Sequence, residues 1–282
     1  MLRSLSEPKG YRLEARDGEI GRCKDFLFDD ERWTLRYMVA DTGGWLSGRK
    51  VLISPAQIED LDWQLEHIAV KLTREQIEQS PPLETDAPVS RRYEQAYNSF
   101  HALPDYWLGS GLWGDFPLPS GLTGTQAARL EPLAYEAALG EADAESGANS
   151  DTSPGGIAEN EDVHLRSVRE VTGYDLVAVG AERDSDGGNG SEKIGRIVDF
   201  IVEDSSWALH ALVVDSSRLP LSKKILLPVD AVIDIDWVSR QVNADVPPDI
   251  IDKAPPFDPN EPINARLEVV RYDAVGRPYR AQ

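Results

Sequence analysis

Apolar residues along this chain come in short runs separated by turn-forming residues. Residues 11–15 alternate polar and apolar, Asp17-Gly18 supplies a tight-turn signal, and runs rich in Val, Ile, Leu, Phe and Trp follow at 20–28, 35–41, 50–54 and 63–72. Period-two alternation closed by Asp-Gly is a β-hairpin signature. The same succession of runs returns at 174–179, 194–202, 208–215, 224–228 and 237–246. Short strands at this spacing predict a small antiparallel barrel or strongly curled sheet, built twice. Helical signals follow each set. Thr73-x-x-Gln76 reads as a capping box for a helix stopped by Ser80-Pro81-Pro82, and residues 90–100 read as a second short helix. Pro247-Pro248 is placed to open a helix through Lys253, with Pro255-Pro256 as its stop.

The two sets are copies of one another. Ile20-Gly21-Arg22 with Asp25-Phe26 reads again as Ile194-Gly195-Arg196 with Asp199-Phe200, and Trp33, Asp41, Lys50, Asp60, Asp62 and Trp63 return as Trp207, Asp215, Lys224, Asp234, Asp236 and Trp237, always 174 residues on. Gly10-Tyr11 returns as Gly173-Tyr174 at a smaller offset, so copy two carries an insertion, which falls in the polar Gly/Asp/Ser stretch 182–192. An internal duplication of this kind decides the domain plan. Residues 1–106 form the first barrel-like domain and 165–282 the second, each followed by a short helical tail. Residues 107–164 form the linker between them, Gly/aromatic first and acidic after.

The residues both copies kept read as structural. A mid-strand glycine, Gly21 or Gly195, suits a strand that bends sharply or is approached closely by another backbone. Asp25, Asp199, Asp41 and Asp215 at strand ends suit turn capping. Trp33, Trp207, Trp63 and Trp237 suit core or barrel-mouth packing, since each ring buries a large area. Lys50 and Lys224 are placed to pair with one of the kept carboxylates.

Composition then narrows the function. The chain has 29 basic and 49 acidic residues, a formal charge of −20, which repels nucleic-acid phosphates and anionic head groups. No nucleic-acid partner is expected. No apolar run approaches the roughly 20 residues of a membrane helix, and there is no signal-peptide pattern. With Cys23 the only cysteine, the chain fits a reducing cytoplasm.

No site for chemistry emerges. His67, His101, His164 and His210 are scattered without metal-ligand spacing. Gly109-Ser-Gly111-Leu-Trp-Gly114 matches a dinucleotide fingerprint literally, but Pro117 and Pro119 forbid the helix that must follow. Residues 184–190 hint at a calcium loop whose spacing fails. Asp60 with Asp62, and Asp234 with Asp236, form the one repeated carboxylate pair. At i, i+2 in a strand they share a face on which a cation or a hydrolytic centre is conceivable. The reading from these residues is no enzyme, no cofactor and no metal.

The repeat unit resembles the PRC-barrel domain, the cytoplasmic β-barrel of the photosynthetic reaction centre H subunit, found also in the ribosome maturation factor RimM and in many small bacterial and archaeal proteins. The carrying residues are the Ile-Gly-Arg-x-x-Asp-Phe motif of both copies, the acidic turn and Trp leading into an apolar strand (Asp29-Asp30-x-x-Trp33-x-Leu35 and Glu203-Asp204-x-x-Trp207-x-Leu209), and Lys50-Val51-Leu52-Ile53 with Lys224-Ile225-Leu226-Leu227. The resemblance covers both repeats but not residues 107–164. It implies a fold and no shared catalytic motif. It therefore implies a non-enzymatic protein-interaction or assembly module whose partner is open. The alternative it suggests is a peripheral component of a membrane electron-transfer complex like the photosynthetic reaction centre. Two similar barrels in one chain also invite packing as an intramolecular pseudo-dimer.

The linker is where the chain departs from the repeat. Trp107, Leu112, Trp113 and Phe116 stand among glycines outside either barrel, and large apolar side chains stranded in water are unusual. They form either a strap over a barrel or a partner-docking segment. Residues 126–139 read as an isolated helix and 140–161 as an acidic disordered tether.

Overall fold

A computed structural model of the chain describes residues 1–83, 89–124, 165–179, 191–216, 223–248, 250, 254–259 and 263. The expected helices at 126–139 and 247–253, the acidic tether, the lengthened hairpin loop and its calcium-like motif lie wholly or partly outside them.

The protein is mainly β. Strands β1 (Leu2–Ser4), β2 (Arg12–Ala15), β3 (Gly18–Asp29), β4 (Thr34–Asp41), β5 (Lys50–Ile53), β6 (Ile58–Asp62) and β7 (His67–Val70) come from the first repeat. β8 (Leu165–Ser167), β9 (Asp175–Val179), β10 (Ser191–Glu203), β11 (Leu209–Asp215), β12 (Lys224–Pro228), β13 (Val232–Asp236) and β14 (Gln241–Ala244) come from the second. They form two seven-stranded sheets. One runs β5-β4-β3-β2-β7-β6 with β8 beside β3, and the other runs β12-β11-β10-β9-β14-β13 with β1 beside β10. The order is the same in both. Within each, the pairing of the repeat's first hairpin with its last strand (β2–β7, β9–β14) is parallel. The hydrogen-bonded path has two ends in each sheet, so the barrel expectation holds as far as two like, open-ended sheets.

The expected long strand at 63–72 is instead a hairpin. Asp62 Oδ1 accepts the N–H groups of Gln64 and Leu65 at 2.8 and 2.9 Å, and Glu66 sits at φ 51°, so the chain reverses between β6 and β7. Asp236 repeats the device by accepting from Val238 and Ser239 at 2.9 and 3.1 Å, with Arg240 at φ 55°. A strand-end Asp that caps its own turn costs no tertiary partner, which explains why both copies kept it.

Each three-residue leader strand lies outside the sheet of its own repeat. Met1–Lys9 and Trp33–Leu35 group with the second repeat, and Leu165 groups with the first. In the second-repeat unit Leu2, Arg3 and Ser4 face Glu203, Val202 and Ile201, and Leu5 N–H donates to the Phe200 carbonyl at 2.9 Å. That unit's core is built from Val168, Leu176, Ile194, Phe200, Leu212, Val214 and Ile225. In the first-repeat unit Ile20, Phe26, Phe28, Tyr37, Val39, Val51, Ile53 and Ile68 do the same work, and β4 is buried on both faces over most of its length.

Two helices complete the first-repeat unit. α1 (Arg74–Gln79) opens on a capping box, with Thr73 Oγ1 accepting from Gln76 N–H and Gln76 Oε1 accepting from Thr73 N–H. α2 (Arg91–Phe100) opens on Ser90, whose hydroxyl accepts from Tyr93 N–H. Tyr97 of α2 is fully buried. Its hydroxyl accepts Ser54 N–H at 3.1 Å and lies 2.6 Å from Gln57 Oε1, which fixes α2 against the 3-10 turn Pro55–Gln57.

Candidate functional site: an arginine-clamped aromatic strap

After α2 the chain turns back at Ala102 (φ 53°). Leu103 N–H donates to the Asn98 carbonyl at 2.8 Å, and Asn98 Nδ2 to Asp105 at 3.0 Å. There follows a 3-10 turn, Tyr106–Leu108, then a small knot. Gly111 N–H donates to the Gly114 carbonyl at 2.8 Å, and Trp113 N–H to the Phe116 carbonyl at 3.1 Å. The three glycines of the would-be dinucleotide fingerprint make this knot possible. A Cβ on Gly109 would lie 2.2 Å from the Gly114 carbonyl carbon, one on Gly111 would lie 2.8 Å from the Gly114 oxygen, and Gly114 itself sits at φ +70°. Gly111 and Gly114 bond one another, and the carbonyls of Gly109 and Gly111 accept from Arg32. The short helix α3 (Ser120–Gly124) ends the strap, with the Phe116 ring directly against Gly121.

Three arginines clamp the strap. Arg32 donates to the carbonyls of Tyr106 at 3.2 Å, Gly109 at 3.1 Å and Gly111 at 2.8 Å. Arg36, on β4 and 1% exposed, donates to the Leu112 carbonyl; its guanidinium lies 3.8 Å from the Tyr106 ring centroid and 5.0 Å from that of Trp113. Such stacking strengthens when water is excluded. Arg36 also donates to Asp29 Oδ2 at 2.9 Å through Nη2. Arg91, at the start of α2, donates to Glu94 Oε2 at 2.9 Å and to the Tyr106 hydroxyl at 3.1 Å, and stacks 4.3 Å from the Trp107 ring centroid.

Glu94 is the electrostatic hinge of this cluster. It is 2% exposed and accepts the Tyr106 hydroxyl at 2.7 Å. Burial pushes its carboxyl up to about 7, against the opposing pull of the Tyr106 hydrogen bond and of the Arg91 and Arg36 charges. Burial likewise holds the Tyr106 hydroxyl well above its ordinary value, which keeps it a donor. Behind the helix, burial pushes His101 down to about 4, so its neutral ring sits 3.1 Å from the Ser80 hydroxyl.

The segment foreseen as strap or docking element thus divides its side chains. Trp113 is 1% exposed and fills the interior, so its ring is not a surface on which a partner lands. Trp107, Leu112 and Phe116 are partly exposed, and Leu108, not singled out in the sequence, is 80% exposed beside Trp107. Sequence pattern assigns no strap-binding role to Arg32, Arg36, Arg91 or Glu94. A readable signal existed for Arg36: it is the one charged residue inside the otherwise apolar stretch 35–40. Its counterpart in copy two is His210, 4.0 Å from Glu203 and about a third exposed.

The repeat-retained residues lie elsewhere. A Cβ on Gly21 (φ +134°) would fall 2.0 Å from the Asp41 carbonyl oxygen, and one on Gly195 would fall 2.8 Å from that of Asp215. Close backbone approach therefore holds both positions to glycine. Asp41 Oδ1 accepts Gly43 N–H at 3.0 Å, and strand register sets Asp41 opposite Lys50 and Asp215 opposite Lys224. Asp25 and Asp199 do not stand at strand ends as expected: they lie inside β3 and β10, where each accepts the N–H of the following phenylalanine at 2.8 Å. Trp63 and Trp237, in the hairpin turns, meet Tyr11 and Tyr174 edge-on at 6.2 and 5.9 Å. Trp33 and Trp207 take left-handed conformations at φ 48° and 60°. Their carbonyls accept from Leu209 and Leu35 at 2.7 and 2.9 Å. Asp234 accepts from Asn243 at 2.8 Å. Among the described residues no group of three or more His, Cys, Asp or Glu is arranged to hold a metal ion, and no helix is long and apolar enough to cross a membrane. No protein-family model matches the chain, and no curated protein matches it.

Proposed function

We propose that the chain is a non-enzymatic protein-interaction module built from two PRC-barrel-like repeats, and that its partner lands on the outer surface of the strap at Trp107, Leu108, Leu112 and Phe116. The observation that carries this reading is the exposure of Leu108, next in sequence to Trp107 on a backbone held by Arg32 and Arg36, with Arg91 stacked on the Trp107 ring. An apolar side chain on an ordered turn loses little further freedom when a partner covers it, which is what a binding hot spot needs. The common sheet order of the two repeats supports the PRC-like part of the reading, as do the glycines pressed against Asp41 and Asp215.

The test is affinity purification from the native organism with three full-length baits. Wild type and a Leu108→Ser, Trp107→Ala double variant should differ in one or more stoichiometric partners, while Val238→Ser, which trims an exposed residue on the second repeat, should behave like wild type. Identical recovery with all three folded baits contradicts the strap as the landing surface.

A further inference from the structure

Both repeats begin with the same three residues, Leu2-Arg3-Ser4 and Leu165-Arg166-Ser167, each followed by an apolar residue, Leu5 or Val168, that is fully buried. Each leader lies beside the long strand that carries the Asp-Phe pair of the other repeat: β1 beside β10, with Asp199-Phe200, and β8 beside β3, with Asp25-Phe26. On β10 the fit is detailed. Three residues pair in antiparallel register, Leu5 N–H adds a rung to Phe200, Leu2 packs on the cluster of Ile201, Ala211, Val213 and Leu226, and the hydroxyls of Ser4 and Ser6 both donate to Asp199 Oδ2, that of Ser6 at 3.0 Å. This gives Asp199 a second task beyond accepting the Phe200 N–H within β10.

We propose that the end of β10 beyond its pairing with β9 is a strand-acceptor site, filled in cis by the leader, that takes the same apolar-Arg-Ser-apolar leader from a second copy of this chain. The rungs supply affinity, and the half-buried Leu2 and the buried Leu5 with the Ser–Asp199 bond supply selectivity, as in other cases where an extended segment completes a sheet. A short segment held by one edge is also the element most readily exchanged between identical chains. The pattern Leu-Arg-Ser-Leu-Ser is the recognition sequence.

The probe is a synthetic peptide of residues 1–9, labelled at its C-terminus, titrated by fluorescence anisotropy into a chain lacking residues 1–9. Saturable binding is expected, weakened tenfold or more by Leu5→Asp in the peptide or by Asp199→Ala in the chain, with none to the intact chain at the same concentration. Should the leaderless chain not fold, the same exchange is followed on a full chain cut after folding at a protease site placed in residues 7–9. The cut leader should then stay bound through gel filtration and be displaced by excess peptide. Absence of peptide binding to a folded leaderless chain, departure of the cut leader from an intact fold, or binding indifferent to Leu5→Asp overturns the proposal.

Discussion

Arg36 Nη2 donates to Asp29 Oδ2 at 2.9 Å, and neither side chain reaches bulk water. The pair joins the end of β3 to β4 and sets the guanidinium carbon 3.8 Å from the Tyr106 ring centroid. Burying two charges stabilises only when every remaining donor is used. Here the Leu112 carbonyl and the aromatic faces take up the rest of Arg36, while Asp29 Oδ1 caps the turn by accepting from Glu31 and Arg32 at 3.0 Å. Breaking one side should therefore cost more than the pair contributes net. Arg36→Ala or Asp29→Asn is expected to lose about 3–5 kcal/mol in urea unfolding. The double variant Arg36→Ala, Asp29→Asn should lose less than the sum of the two single losses. Additive losses would contradict a coupled pair.

Stability should depend on Glu94 through pH. Its carboxyl is pushed up from 4.5 to about 7 in the fold, so between those values the folded state holds more proton than the unfolded one. The stabilisation this gives is complete below pH 4.5 and is lost as pH rises through about 7, roughly 3 kcal/mol in all. Glu94→Gln cannot titrate. The difference in unfolding free energy between pH 5 and pH 8 should shrink in this variant by that order. An unchanged pH profile contradicts the assignment.

Gly21→Ala places a methyl group 2.0 Å from the Asp41 carbonyl oxygen at a φ that L-residues rarely adopt, whereas Gly44 has open space around it. A loss of several kcal/mol, on the order of 2–4, is expected at Gly21, against a change within about 0.5 kcal/mol for Gly44→Ala. Comparable melting temperatures for the two variants would remove close approach as the reason both repeats kept this glycine.

The duplication, the strand succession and the capping box of α1 were legible because each rests on local pattern: turn residues, period-two burial and the Thr73–Gln76 spacing. The β6–β7 turn was not, because Trp63 looks like a strand residue and the reversal depends on where Asp62 aims its carboxylate. The leader strands escaped for a different reason. Three residues carry no periodicity, and their partners lie about 200 positions away in the case of Leu2 and Glu203. At the candidate site the aromatics stood out, but sequence does not say which of them the arginines pull inside. Trp113 and Trp107 have the same chemistry and each lies near an arginine, yet Trp113 is buried and Trp107 only partly so.

The interaction account rests on Leu108 being a contact residue in the cell. A photo-crosslinking amino acid at position 108 of the full chain, irradiated in the native organism, tests this most directly. A discrete crosslinked protein that is absent when the same group stands at position 238 is the predicted result. Equal labelling at both positions, or none at 108 in a folded chain, would contradict the account.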